Sequence, residues 1–291
     1  MIASTVDLAL HGHANGYAVA AVNILDDLSL RAVIAAAVEL SSPVIVQASV
    51  KTARTMGVDL LTKTFLAAAT SAPVPVALHL DHCPDRLVIA EVVRAGWSSL
   101  LFDASDRDLA KAESETAEVV ALAHAAGVDV ESEIENIIGV EDGIGSDVAR
   151  HSYSVDVLAE VAERTGVDLI APQLGTAHGE YKNSPVLLPE RVRELTRLTS
   201  RPIVLHGGTG LTESDFRSFI DAGVSKINIS TGLKLAYMQS ARDHLRKAEA
   251  TGRWDPPSMF ADITLAVKAE VLKYMEIFGS AGHADGAALS R

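Results

Sequence analysis

Pro202–Thr231, PIVLHGGTGLTESDFRSFIDAGVSKINIST, holds a complete strand–loop–helix–strand unit. Pro202–His206 is a short apolar run closed by a histidine, the pattern of a strand buried on both faces. Gly207-Gly208-Thr209-Gly210 makes a glycine-rich turn, and Thr212 stands as a cap before the amphipathic stretch Glu213–Ala222. The next apolar run, Lys226–Ser230, closes in Asn228-Ile229-Ser230-Thr231 and opens another helix. Strands that alternate with helices in this way imply a parallel sheet.

The same rhythm runs outward through the chain. Further strand candidates are Tyr17–Asn23, Pro43–Ser49, Pro75–Asp81, Ser98–Asp103, Val128–Glu133 and Val167–Gln173. Helical periods fill Leu30–Leu40, Leu60–Ala69, Asp108–Ala125, Val155–Glu163 and Pro189–Leu198, with Ser29 and Ser154 as caps. Eight such units in 291 residues favour an α/β fold closed as a (β/α)8 TIM barrel over an open doubly wound sheet. We expect one domain over 1–291, with its core at about 16–250 and a helical extension at 251–291. Within that extension Phe260–Phe278 reads as an additional C-terminal helix and Gly279–Arg291 as a weakly ordered end.

Bulk composition narrows the function. Apolar residues make up 48% of the chain and aromatics only 4%, which suits layered helix-on-strand packing. A net charge of −13 disfavours nucleic acid and anionic membrane as partners. An anionic substrate would need local positive charge from a metal, a lysine or backbone amides. The single cysteine, Cys83, forbids an internal disulfide and fits a reducing compartment. The N-terminal stretch lacks a basic segment followed by an apolar run, and no apolar run is long enough to span a membrane. A soluble, cytoplasmic protein is expected.

In a barrel the chemistry sits where strands end. Here the ends carry Asn23, Ser49, Asp81-His82, Asp103, Glu131 and Glu133, Gly175–His178, His206-Gly207 and Asn228–Thr231. His82, His178 and His206 stand out, because three neutral imidazoles and an open position make a catalytic zinc site. The loops after the seventh and eighth strands are the usual barrel phosphate site, and Lys182, four residues past His178, offers positive charge. Asp81 and Glu141 are the acid–base candidates; Glu141 lies in the polar loop Asn136–Ser152, whose glycines suit a mobile lid.

Taken together, YAVAAVN, PVIVQAS, LHLDHC, SLLFDAS, VESEIENIIGVEDG, GTAHGEYK, VLHGGTGL and KINISTGLK resemble the class II fructose- and tagatose-bisphosphate aldolase family from about Gly16 to Asp255. The resemblance implies a lyase that splits a ketose 1-phosphate or 1,6-bisphosphate reversibly into dihydroxyacetone phosphate and an aldehyde, through a metal-stabilised enediolate. His82, His178 and His206 match ligands to Zn2+ or another divalent metal, with Asp103 and Glu133 at a secondary metal position. Asp81 matches the residue acting at the C4 hydroxyl, and Glu141 the one moving the proton at C3. Gly179, Lys182, Gly207, Gly208, Thr209, Ser230 and Thr231 match the phosphate neighbourhood, with a monovalent cation (Na+ or K+) nearby. Asn23, Ser49 and Asn228 match residues lining the sugar. Relatives are homodimers or homotetramers, so the same is expected here.

The chain departs from the family in three places. Glu135 and Ile138 stand where small residues are typical of the loop. Ser230 replaces the Asp of fructose-selective relatives. Asp255-Pro256-Pro257 replaces an Asp-Pro-Arg whose Arg holds the distal phosphate, and proline cannot act as a guanidinium fork. Either Arg253 takes over that role or the aldehyde half lacks a phosphate, and together the changes point away from a standard hexose 1,6-bisphosphate. A metal-dependent sugar-phosphate epimerase or isomerase on the same barrel, and a non-catalytic aldolase-like subunit, are the alternative readings.

Overall fold

The computed structural model describes residues 1–146, 148, 150–179 and 185–287. Eight parallel strands close a barrel among them: β1 (Val19–Asn23), β2 (Val44–Ser49), β3 (Val76–Cys83), β4 (Ser99–Asp103), β5 (Asp129–Glu133), then β8 (Leu169–Ile170), β9 (Ile203–Leu205) and β10 (Val224–Ile229). Spatial neighbours follow chain order, and β1 pairs with both β2 and β10. An antiparallel hairpin, β6 (Gly139–Glu141) and β7 (Ile144–Ser146), stands inside the long loop after β5. The sixth barrel strand is shorter than its apolar run. Pro172 within that run has no N–H for a ladder.

Helices alternate with these strands: α1 (Thr5–Asn15), α2 (Asp27–Glu39), α3 (Val50–Met56), α4 (Val58–Thr70), α5 (Arg86–Arg94), α6 (Leu109–His124), α7 (Val155–Thr165), α8 (Pro189–Leu198), α9 (Glu213–Ala222), α10 (Thr231–Thr251), α11 (Pro256–Ile277) and α12 (Ala284–Ala287). Three sequence expectations change. The cap of α2 is Asp26, with Ser29 as its reciprocal partner three residues on; losing such a cap costs about 1 kcal/mol. The part of the tail at 280–284 is not loose: Gly282 and Ala284 donate backbone bonds to Leu40 and Ser41, both at 2.8 Å, and His283 stacks on Tyr17. Finally, α1 was not read from sequence. Its Leu8 and Ala9 plug the N-terminal end of the barrel.

The pleat explains what lines the interior. Val22, Val46, Leu78, Leu100, Val130, Leu205 and Ile227 face outward into the helices as one core. Each such leucine or valine contributes roughly 2 kcal/mol by leaving water. The alternate residues point inward and grow polar towards the strand C-termini. Ala21 leads to Asn23, Ile45 to Gln47 and Ser49, Ala77 to His79 and Asp81, and Val204 to His206. The apolar inner residues make the floor with α1; the polar ones make the mouth.

Candidate active site

One irregularity shapes the mouth. On an unbroken strand Asp81 and His82 would face opposite sides. Here Leu80 pairs with Leu100 but Cys83 pairs with Phe102, so β3 carries an extra residue. His82 takes φ 38°, a left-handed conformation that costs on the order of 1–3 kcal/mol in a non-glycine residue. Leu80 and Cys83 keep their places in the outer core, while Asp81 and His82 both reach the mouth.

His82, His178 and His206 meet there. Their rings are 4.7–6.1 Å apart by centroid, and one nitrogen from each lies within 4.8 Å of the others. A second group, His82 with Asp103 and Glu133, converges to the same limit. His82 Nδ1 is 3.3 Å from Asp103 and 3.6 Å from Glu133, and its Nε2 is 2.9 Å from His206 Nδ1. His206 Nε2 contacts Glu131 at 2.8 Å. Asp81 is buried beside them: it accepts from Asn23 Nδ2 at 2.7 Å and Asn228 Nδ2 at 3.3 Å, and lies 3.9 Å from His82 Nε2. Gln47 donates to Asn23 at 2.8 Å, continuing the chain of amides.

Charges follow from these distances. Burial opposes a charge on His82, but Asp81, Glu133 and Asp103 outweigh it and hold the imidazole well above its usual range. Burial would raise Asp103, yet His82 and the Ser105 hydroxyl and amide bring it down to about 2. Glu133 is pushed well above the carboxylate range by burial, with the Asp103 and Glu131 charges adding to it. Glu131 is also buried, but Lys226 and His206 hold it far below that range. Desolvation lowers His206.

The donor set fits a divalent cation. Where Glu131 accepts the His206 Nε2 proton and a carboxylate accepts the His82 Nδ1 proton, two lone pairs face each other across 2.9 Å. Positive charge must stand between them, from a proton or a metal ion. The Glu133 Oε2 atom, buried without a hydrogen-bond donor among the described residues, is a further oxygen that a cation could draw on. Carboxylates behind ligating imidazoles are what such sites require.

The remaining expected residues sit around this centre. Ser49, in register with Asp81, caps α3 through the Thr52 amide. Gly207 takes φ 71° and passes so close to the Ala177 backbone that a Cβ would lie 2.5 Å from its oxygen. Gly208 packs on Phe216, and Thr209 accepts from the Gly232 amide at 3.2 Å, joining the β9 and β10 loops. Ser230 precedes α10 with its buried hydroxyl lacking a partner among the described residues, and Thr231 opens that helix. Gly179, at φ 86°, follows His178. Lys182 and the Glu141 side chain lie outside the described residues. The Glu141 backbone belongs to β6, whose base is clipped to the site: the His178 amide donates to Ile138 at 2.8 Å, and Lys234 pairs with Asp142 at 2.9 Å. Glu135, unusual for the loop, is buried and accepts from Arg191, Tyr153 and Gln173 at 2.7–3.0 Å.

Reading single strand ends missed Gln47 and Lys226 as parts of the network, left the buried His79 as structural, where it lies 3.8 Å from Glu131, and gave Glu131 no role. Each lies two residues before an expected site residue: Ser49, Asp81, Asn228 and Glu133. The two-residue pleat was the available signal.

Residues 3–283 match the family model for class-II fructose-bisphosphate aldolase. The chain belongs to this family. A probable fructose-bisphosphate aldolase of Bacillus subtilis is 35% identical over 92% of this chain and 94% of its own. The YdjI aldolase of Escherichia coli K12 superposes with a TM-score of 0.85 at 30% identity, over 98% of this chain and 100% of that one. A Coccidioides immitis structure, described as a candidate fructose-1,6-biphosphate aldolase, reaches a TM-score of 0.90 at 26% identity, covering 97% and 98% of the two chains. The protein is therefore a class-II aldolase, a lyase on a (β/α)8 barrel; its family implies a divalent metal, and the histidine cluster is one of two groups among the described residues that could hold it. Membership carries the aldolase reading over the epimerase alternative. Among the described residues no helix is long and apolar enough to cross a membrane.

Proposed function

We propose that this aldolase cleaves a ketose 1-phosphate, or a ketose 1,6-bisphosphate of tagatose or fructose type, to dihydroxyacetone phosphate and an aldehyde. The observation that supports it most is the Asp81 carboxylate, buried 3.9 Å from a cluster imidazole and gripped by two amides. His82, His178 and His206 would hold Zn2+ or another divalent ion, with Asp103 and Glu133 as the secondary position. When bound, the ion supplies Lewis acidity that polarises the substrate carbonyl and stabilises negative charge on its oxygen.

The protein's own groups do the rest. Asp81 takes the C4 hydroxyl proton as the C3–C4 bond breaks, and Asn23 and Asn228 keep its oxygens aimed. Glu141, carried on the hairpin, returns a proton to C3 of the three-carbon fragment, an enediolate after cleavage. Gly179, Lys182, Gly207, Gly208, Thr209, Ser230 and Thr231 form the C1-phosphate neighbourhood, where α10 adds its positive N-terminal end and a Na+ or K+ ion would balance charge. Ser49, with Asn23 and Asn228, lines the ketose or triose portion. The enzyme works in the cytoplasm as a homodimer or homotetramer.

The distal end of the substrate separates this chain from a standard hexose-bisphosphate enzyme. Pro257 replaces the arginine expected to recognise it, and Ser230 replaces the Asp of fructose-selective relatives. We expect kcat/KM for fructose 1-phosphate or tagatose 1-phosphate within about tenfold of the matching bisphosphate, since no guanidinium fork rewards the second phosphate. A thousandfold preference for the bisphosphate, measured by coupled triose-phosphate release, contradicts this.

A further inference from the structure

Lys226 is a fully buried charge on β10, two residues before Asn228, and the proposed reaction gives it no task. Its Nζ donates to Glu131 Oε2 at 2.7 Å and to Asn228 Oδ1 at 2.8 Å. Each acceptor governs a different reacting group. Through its other oxygen Glu131 contacts His206 Nε2 at 2.8 Å. An ionised carboxylate only accepts, so Nε2 carries the proton and Nδ1, 2.9 Å from His82, carries the lone pair. Asn228 Nδ2 also lies 3.1 Å from that Nε2. Two donors cannot bond each other, and the shorter, charge-assisted contact to Glu131 prevails.

The second arm fixes an amide. A lysine ammonium only donates, so the Asn228 atom it touches is the oxygen. The amide nitrogen is left to donate to Asp81 Oδ1 at 3.3 Å. We infer that Lys226 is a positioning residue: by its two hydrogen bonds it sets the metal-facing nitrogen of His206 and the donor that Asn228 turns to Asp81. This rests on the roles proposed for His206 and Asp81, but the hydrogen-bond pattern can be measured without them. Lys226 is not an iminium-forming lysine here, because its nitrogen is ion-paired and buried in the barrel interior.

Long-range 1H–15N NMR of the metal-free wild-type protein should show His206 as the single Nε2–H tautomer. The double variant Lys226→Met/Glu131→Gln removes both buried charges, leaving neither unpaired. In it we expect both His206 tautomers, side-chain amide exchange at Asn228 at least tenfold faster, and roughly 10–100-fold weaker metal binding in a chelator competition. A wild-type His206 protonated on Nδ1 overturns the inference, whether or not the variant folds. So does a folded double variant with one tautomer and metal affinity within twofold of wild type, or borohydride trapping of dihydroxyacetone phosphate on Lys226. A wild-type protein that shows the Nε2–H tautomer yet binds no divalent metal would instead sink the proposed function.

Discussion

At the residue scale Asp81 and His82 matter most, brought to one side by a bulge that neither apolar patterning nor motif spacing announces. Asp81→Asn keeps the hydrogen-bonding shape but removes the base. It should cut kcat by about 10²–10⁴-fold while metal affinity moves only a few-fold; an equal loss of both would make Asp81 a structural ligand. The pH dependence of the metal-free protein has a defined sign. His82 is held well above its ordinary value, so its contribution to stability is complete below about pH 6.5 and is lost as pH rises through the folded-state value. Glu133, raised above the carboxylate range, likewise loses stability as pH climbs past its unfolded value. The melting midpoint of chelator-treated protein should therefore fall between pH 6 and 9, and added Zn2+ should abolish the fall because binding releases the His82 proton. A flat or rising midpoint without metal would contradict these charge assignments. The strand-end residues were legible because a barrel gathers all its strand ends at one rim. The pairing of Lys226 with Glu131 was not, since a charge inside an apolar run shows no partner until two distant strands are set side by side.

At the element scale the hairpin β6–β7 is the part most open to test. Gly139 takes φ 109°, and a Cβ there would lie 2.6 Å from the His178 carbonyl oxygen. Both the conformation and the close approach call for glycine. Gly139→Ala should push the hairpin away from His178 and lower kcat at least tenfold, with the melting midpoint within a few degrees of wild type. An unchanged kcat would separate the hairpin from the reaction. Among the elements, the barrel strands were readable because burial on both faces forces continuous apolar runs. The hairpin was read only as a polar loop, since three-residue strands carry too little pattern. The helix α1 and the docked tail escaped because tertiary contacts order them: Leu8 against the barrel floor, and Gly282 and Ala284 against the end of α2.

At the scale of the whole molecule, an apolar floor closed by α1 and a polar mouth built from the same strands account for one rigid scaffold with one reactive end. In the proposed function a strongly acidic chain meets an anionic sugar phosphate with local positive charge, from Lys182, a helix N-terminus and the ion that the grouped imidazoles and carboxylates could hold. The most direct measurement is triose-phosphate release from fructose and tagatose 1-phosphates and 1,6-bisphosphates and from carboxylate-ended ketose phosphates, with and without a chelator. A metal-dependent aldolase should release triose phosphate from at least one of them, with release abolished by the chelator and restored by Zn2+ or another divalent ion. Release that survives complete metal removal would contradict that dependence.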